Sequence, residues 1–173
     1  MNLVLKATQF AALKHCDQRR KDGKTPYIIH PISVAMILAE IGGIDDPEIL
    51  SAALLHDTIE DTDTSAHELD KEFGSRVRII VEELTNNNQL TFSQRKQMQI
   101  DNAPHLSKDA TLVKIADKIS NVSDVIKTPP PEWDQKRCTE YVDRAEAVIN
   151  NCQKVNQDLE NHFFELLTEY RKL

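Results

Sequence analysis

The sequence predicts an all-α fold, and three observations predict it. Only four glycines occur in 173 residues, strand-like alternation of β-branched residues is scarce, and apolar residues recur instead at helical spacing between recognisable start and stop signals. A chain of this length buries about 70% of its unfolded surface, enough for one core without staples, so residues 1–173 are expected to form one domain.

The elements follow in order. Residues of about 2–16 place Leu3, Ala7, Phe10 and Ala11 on one helical face, which breaks at the basic run DQRRKDGKT, a loop of residues 17–25. In YIIHPISVAMILAEIGG, Pro31 suits a first helical turn and Val34, Ile37, Leu38 and Ile41 make an apolar face that Gly42-Gly43 stops. His30 therefore stands at a helix entrance. Asp46-Pro47 opens a third helix that runs through Leu50, Ala53 and Leu54 to His56-Asp57. Ser65-Ala66-His67-Glu68 has the form of a capping box and begins a short helix closed near Phe73-Gly74. The next helix buries Val77, Ile80, Val81 and Leu84, and TNNNQLTFS reads as loop before a short helix in RKQMQIDNA. Ser107 caps a long helix striped by Leu112, Ile115, Ala116 and Ile119, with Asp117 and Asn121 on its flank. Pro129-Pro130-Pro131 is a stiff connector, and two amphipathic helices, about 134–152 and 155–171, pack on the rest.

Charge and cysteines bound the function. Lys and Arg total 21 against 28 Asp and Glu, a net charge of −7, which argues against nucleic acid or an anionic membrane as partner. The three cysteines show no CxxC or zinc-finger spacing, so a reducing compartment and a cytoplasmic location are expected. No window approaches the roughly 18 apolar residues of a membrane span, and the first residues lack a secretory pattern. The sequence leaves a homo-oligomer open.

The chemistry concentrates in ALLHDTIEDTD, residues 53–63, where an apolar helix runs into a histidine and four acids. His30, His56, Asp57 and Asp117 each lie beside an apolar stripe that must face the same core. Two imidazoles and two carboxylates without a thiolate suit manganese, iron or zinc better than calcium or a structural zinc. Glu60 follows His56 by four residues, and Asp61 follows Asp57 by four. If the helix continues, each acid stands above a ligand on one face, in reach of water there. The basic loop supplies Arg20, Lys21 and Lys24 as local charge for an anionic substrate. His15, His67, His105 and His162 read as surface or satisfied core residues, Asp63 as a loop residue, and Trp133 as a packing anchor.

The order of IIHP, LLHDTIEDTD and KIADKISN resembles the H…HD…D pattern of the HD superfamily of metal-dependent phosphohydrolases. Together with RRKDGKTPYIIHP it resembles the alarmone (ppGpp) hydrolase domain of the RelA/SpoT family, in the size range of its stand-alone small hydrolases, from the first helix to about Tyr141. The resemblance implies an all-α HD-domain bundle in which His30, His56, Asp57 and Asp117 hold Mn²⁺ and Glu60 and Asp61 orient or deprotonate the attacking water. It implies substrate contacts by Arg20, Lys21, Tyr27, Asn121, Arg137 and Tyr141. The implied reaction removes the 3′-pyrophosphate of ppGpp or pppGpp to give GDP or GTP. Alternatives on the same fold are a 2′-phosphatase acting on NADPH and a non-catalytic nucleotide-binding module. Near Phe92 the chain lacks a lysine that the family pattern carries, although Arg95 and Lys96 are close by.

Overall fold

The computed structural model describes residues 2–173, and among them it contains ten α-helices, one 3₁₀ turn and no β-strand. In chain order these are α1 (Leu3–Lys14), α2 (Ile29–Glu40), α3 (Pro47–Leu55), α4 (Thr58–Asp61), α5 (Ala66–Phe73), α6 (Ser75–Leu84), α7 (Phe92–Asn102), the 3₁₀ turn Ala103–His105, α8 (Lys108–Lys127), α9 (Gln135–Asn151) and α10 (Gln157–Tyr170). The all-α expectation is met. No helix among the described residues is long and apolar enough to cross a membrane.

Two helices organise the bundle. Helix α8 packs against α2, α3, α6, α9 and α10, and α3 packs against α1, α2, α6 and α8. The run Ser51–Leu55 of α3 is buried residue after residue, as a helix enclosed on all sides must be. Val113, Ile115, Ala116, Ile119 and Val122 of α8 join Val34 and Leu38 of α2, Val77 and Val81 of α6 and Phe163 of α10 in one apolar core. His30, His56-Asp57 and Asp117 sit where α2, the end of α3 and α8 meet. The site is therefore set by the same packing that holds the bundle.

The caps explain most boundaries. Asp46 accepts from the Glu48 N–H ahead of Pro47, and Ser107 accepts from Ala110. Ser65 accepts from the Glu68 N–H, one half of the expected box. Gly42 stands where α2 meets α10: a Cβ there would lie 2.8 Å from the Leu38 carbonyl oxygen and 3.1 Å from the Leu159 side chain.

Two expectations need correction. Helix α7 starts at Phe92, three residues earlier than RKQMQIDNA implied, because Thr91 and Gln94 form a reciprocal capping box inside the stretch read as loop. The helix that carries His56 does not continue through Asp61. It ends at Leu55 and a separate turn, α4, begins at Thr58. The cause is local: His56 Nδ1 lies 2.7 Å from the Ala53 carbonyl and Thr58 Oγ1 donates to the Leu55 carbonyl at 2.7 Å. Those side chains take carbonyls that a continuing helix would need.

Ile115 is fully enclosed in α8. Ile115→Ala is expected to cost about 2–5 kcal/mol through lost transfer energy and a residual cavity, read as a lower urea midpoint with an unchanged m-value.

Candidate metal centre and substrate cleft

Four side chains from three parts of the chain converge. His30 Nε2 lies 3.1 Å from Asp117 Oδ1 and 3.8 Å from Asp57 Oδ2, while His56 Nε2 lies 3.0 Å from Asp57 Oδ2 and 3.7 Å from Asp117 Oδ1. Both imidazoles are buried. The Ala53 carbonyl can only accept, so His56 donates from Nδ1 and turns Nε2 inward, where it can release its own proton to bind a cation. His30 Nδ1 lies 3.0 Å from Ser120 Oγ, which directs its Nε2 the same way.

The donor set fits a divalent cation. His56 Nε2 is buried without a hydrogen-bond partner despite its closeness to Asp57, and His30, His56 and Asp117 each offer a ligand atom within 4.8 Å of the others. Two nitrogens and two carboxylate oxygens form a mixed set with no thiolate. The electrostatics agree with that fit. Burial works to lower the His56 pKa, but the adjacent Asp57 and Asp117 outweigh it and raise it to about 10. Burial lowers the His30 pKa. Asp57 and Asp117 are held below the ordinary carboxylate range: burial opposes this, and His56 for the first and Lys118 with His30 for the second overcome it. The centre is a strong sink for positive charge.

Further contacts fix these four side chains. Tyr27 donates to Asp57 Oδ2 at 2.5 Å and its hydroxyl lies 3.5 Å from Asp61 Oδ2. Asn121 donates to Asp117 Oδ1 at 2.7 Å. Arg20 in turn donates to Asn121 Oδ1 at 2.9 Å and to Asp124 Oδ2 at 2.7 Å, tying the basic loop to α8. That loop keeps its shape through Asp22, which accepts from the N–H groups of Lys24 and Thr25.

The two acids after the HD pair differ. Both oxygens of Glu60 accept from Asn86, through its side-chain amide and, for Oε2, its backbone N–H, all at 3.0 Å. Asp61 has the Tyr27 hydroxyl at 3.5 Å, and desolvation together with Asp57 and Glu60 pushes its pKa up to about 6. Because α4 is a separate turn, Glu60 does not stand above His56, nor Asp61 above Asp57, as a continuous helix would place them.

An open cleft of about 960 Å³ takes in this centre and is lined further by Arg20, Lys21, Tyr27, Glu60, Asn121 and Tyr141. Lys21 Nζ stands 4.2 Å from the Tyr141 ring centre and 4.8 Å from that of Trp133. Of the residues implied as substrate contacts, Arg137 is the exception. It is exposed, stacks on Trp133 at 4.8 Å and does not line the cleft. Lys24 is exposed and also lies outside it. Trp133 packs on Tyr141 at 5.2 Å, as an anchor would.

Sequence reasoning missed several lining residues. Asn86 came from a run read only as loop. Lys114 and Lys118 stand one turn apart on α8 and both line the cleft, a spacing legible in KIADKISN but not used. His15, read as a surface or satisfied core residue, is buried behind the cleft and not part of its lining, and packs its ring 4.8 Å from Tyr27. Its Nδ1 lies 2.7 Å from Gln18 Oε1, and Gln18 donates to the Asp61 carbonyl at 2.7 Å.

Residues 7–144 match the HD domain family. The chain belongs to that family. HD-domain relatives extend over nearly its full length. It is 48% identical over 166 residues, 94% of this chain and 93% of the relative, to guanosine-3′,5′-bis(diphosphate) 3′-pyrophosphohydrolase MESH1 of Xenopus tropicalis. It is 47% identical to the human protein of the same name at the same coverage. A solved structure described as a metazoan ortholog of SpoT that hydrolyzes ppGpp and plays a role in starvation responses superimposes with a TM-score of 0.95 at 39% identity, covering 100% of this chain and 98% of that one. The expected membership of the HD superfamily, and the resemblance to small RelA/SpoT-type hydrolases, is thus the relationship found.

Removing one inward nitrogen or its support has distinct expected effects. His56→Ala abolishes stoichiometric divalent-cation binding by calorimetry, whereas Ser120→Ala retains it with affinity lowered by about tenfold or more, the range seen when a histidine ligand loses its outer partner. Unchanged binding in His56→Ala would show that the cation sits elsewhere.

Proposed function

We propose that this HD-domain protein is a Mn²⁺-dependent hydrolase that removes the 3′-pyrophosphate of ppGpp or pppGpp, giving GDP or GTP and inorganic pyrophosphate. One observation carries the reading: a centre of buried His30 and His56 with partly buried Asp57 and Asp117 opens into a cationic cleft beside Glu60 and Asp61, in a chain nearly half identical to hydrolases named for that reaction.

A divalent cation held by the four side chains supplies Lewis-acid polarisation of a phosphoryl oxygen and lowers the pKa of water. The remaining work falls to the chain. Asn86 locks Glu60 in one orientation, which suits it to position a water by hydrogen bonding. Asp61 keeps an uncommitted Oδ1 and a raised pKa, so it is the better acceptor of the water proton near neutral pH. Tyr27 holds Asp57 and lies beside Asp61, linking ligand and base. Arg20, Lys21, Asn121 and Tyr141 face the nucleotide, and the local cations answer the overall charge of −7.

The test is product analysis after incubation with Mn²⁺ and ppGpp, beside NADPH and a chelated control. Metal-dependent release of GDP and pyrophosphate is the expected result. Orthophosphate from NADPH with intact ppGpp would overturn the substrate assignment.

Asp61→Asn is expected to lower kcat by about 10²–10⁴-fold, the scale of a lost general base, with cation affinity by calorimetry retained. The pH dependence of binding has a definite sign. Burial first, then the charges of Arg20, Lys96 and Lys118, lowers the Lys21 pKa to about 8. Burial first, then Lys118 and Arg144, does the same to Lys96. Both ammonium groups lose their charge progressively as pH rises through about 8. The KM for an anionic nucleotide should therefore rise as pH passes from 7.5 to 9, measured by initial rates, and Lys96→Met should flatten that rise.

A further inference from the structure

Next to the cleft, sharing Tyr141, Lys96 and Lys118 with its lining, is a recess of about 320 Å³ lined by three cations from three helices: Lys96 of α7, Lys118 of α8 and Arg144 of α9. Only one of the charges is offset. Lys118 Nζ lies 3.3 Å from Asp117 Oδ2 and donates to Gln99 Oε1 at 3.3 Å. Among the described residues no carboxylate forms an ion pair with Lys96 or Arg144. Arg144 Nε is buried with no hydrogen-bond partner. Phe92 offers both only a ring face, at 5.1 Å from Lys96 Nζ and 6.0 Å from Arg144 Cζ.

Packing that gathers three like charges, one of them a guanidinium with an unpartnered buried nitrogen, is costly unless an anion completes it. Position selects the anion. The recess begins one ammonium group from the metal centre, since Lys118 touches Asp117. The cleft itself also carries Lys21 over the Tyr141 ring and the Arg20–Asn121 pair, whose mixed polarity suits the nucleoside. A group in the recess must be close to the centre and strongly anionic, which is the chemistry of a second phosphoryl joined to the first by an anhydride.

We propose that Lys96, Lys118 and Arg144 form a subsite for the phosphoryl group bonded to the one under attack, so that the protein reads a pyrophosphate ester rather than a phosphate monoester. This rests on the reaction proposed above. There the water oxygen bonds to the phosphorus at the centre, the bond from that phosphorus to the nucleoside 3′ oxygen breaks, and that oxygen gains a proton. The anhydride bond stays intact, and the departing pyrophosphate is still held by the three cations. Inorganic pyrophosphate is therefore a ligand in its own right and a product inhibitor.

The test is calorimetric titration of the full chain with inorganic pyrophosphate, first without added metal and then with Mn²⁺, at constant ionic strength. Charge-assisted hydrogen bonds of this kind are worth about tenfold or more each. Arg144→Gln and Lys96→Gln should each weaken pyrophosphate binding by about that factor, while Lys136→Gln, the same charge change on an exposed lysine of α9, should leave it unaltered. Lys96 stands on a partly exposed helix, so its variant keeps the test decisive if Arg144→Gln melts early. In turnover, Lys96→Gln should lower kcat/KM for a nucleoside 3′-pyrophosphate about tenfold. Wild-type pyrophosphate affinity in both variants, an equal loss in Lys136→Gln, or an equal loss of turnover on the matching 3′-monophosphate would overturn the subsite. Absence of any nucleotide turnover with pyrophosphate binding intact would instead overturn the reaction and leave the anion site standing.

Discussion

Everything in this bundle is arranged around the burial of Asp57 and Asp117 against two imidazoles. Two carboxylates drawn out of water lose solvation that only close, well-oriented positive charge restores. The proton that His56 holds to a pKa of about 10 meets part of that need, and a divalent cation meets it more fully. The requirement explains features that would otherwise be unconnected: the Ala53 carbonyl that orients His56, the Ser120 hydroxyl that orients His30, the Tyr27 hydroxyl on Asp57, and the Asn121 amide on Asp117. Each leaves the inward-facing atoms of the four side chains pointing at one place.

The same constraint reaches outward into the cleft. Asn121 receives Arg20, so the support of Asp117 also anchors the basic loop. Lys118 bonds both Asp117 and Gln99, Gln99 bonds Asn86, and Asn86 grips Glu60. A continuous polar chain thus runs from Asp117 to Glu60 through α7 and α8. An acidic protein presents a cationic cleft because its lysines and arginines are gathered there on separate helices, not because its overall balance favours anions.

What could be read in advance follows from how local each signal is. Helical periodicity and caps such as Asp46 and Ser107 are local, so the all-α architecture and most boundaries were legible. The order of His30, His56-Asp57 and Asp117 was legible because those residue types beside apolar stripes have few other uses. The start of α7 was missed because the Thr91–Gln94 box lay in a stretch dominated by asparagines. The break after Leu55 was missed because it depends on the His56 and Thr58 side chains competing for carbonyls. The Lys96, Lys118 and Arg144 recess exists only when three helices meet, and no spacing in the sequence announces it. Arg137 shows the converse: the pattern that implied it as a substrate contact carries no information about the Trp133 ring that holds it outside.

The central claim is that the two buried imidazoles and the two partly buried carboxylates form a single cation centre. A crystal structure of the protein grown with Mn²⁺, with anomalous scattering recorded for manganese, tests it most directly. The account predicts one manganese per chain, bonded to His30 Nε2, His56 Nε2 and one oxygen each of Asp57 and Asp117. Manganese bound elsewhere with the four side chains still packed on one another would contradict it.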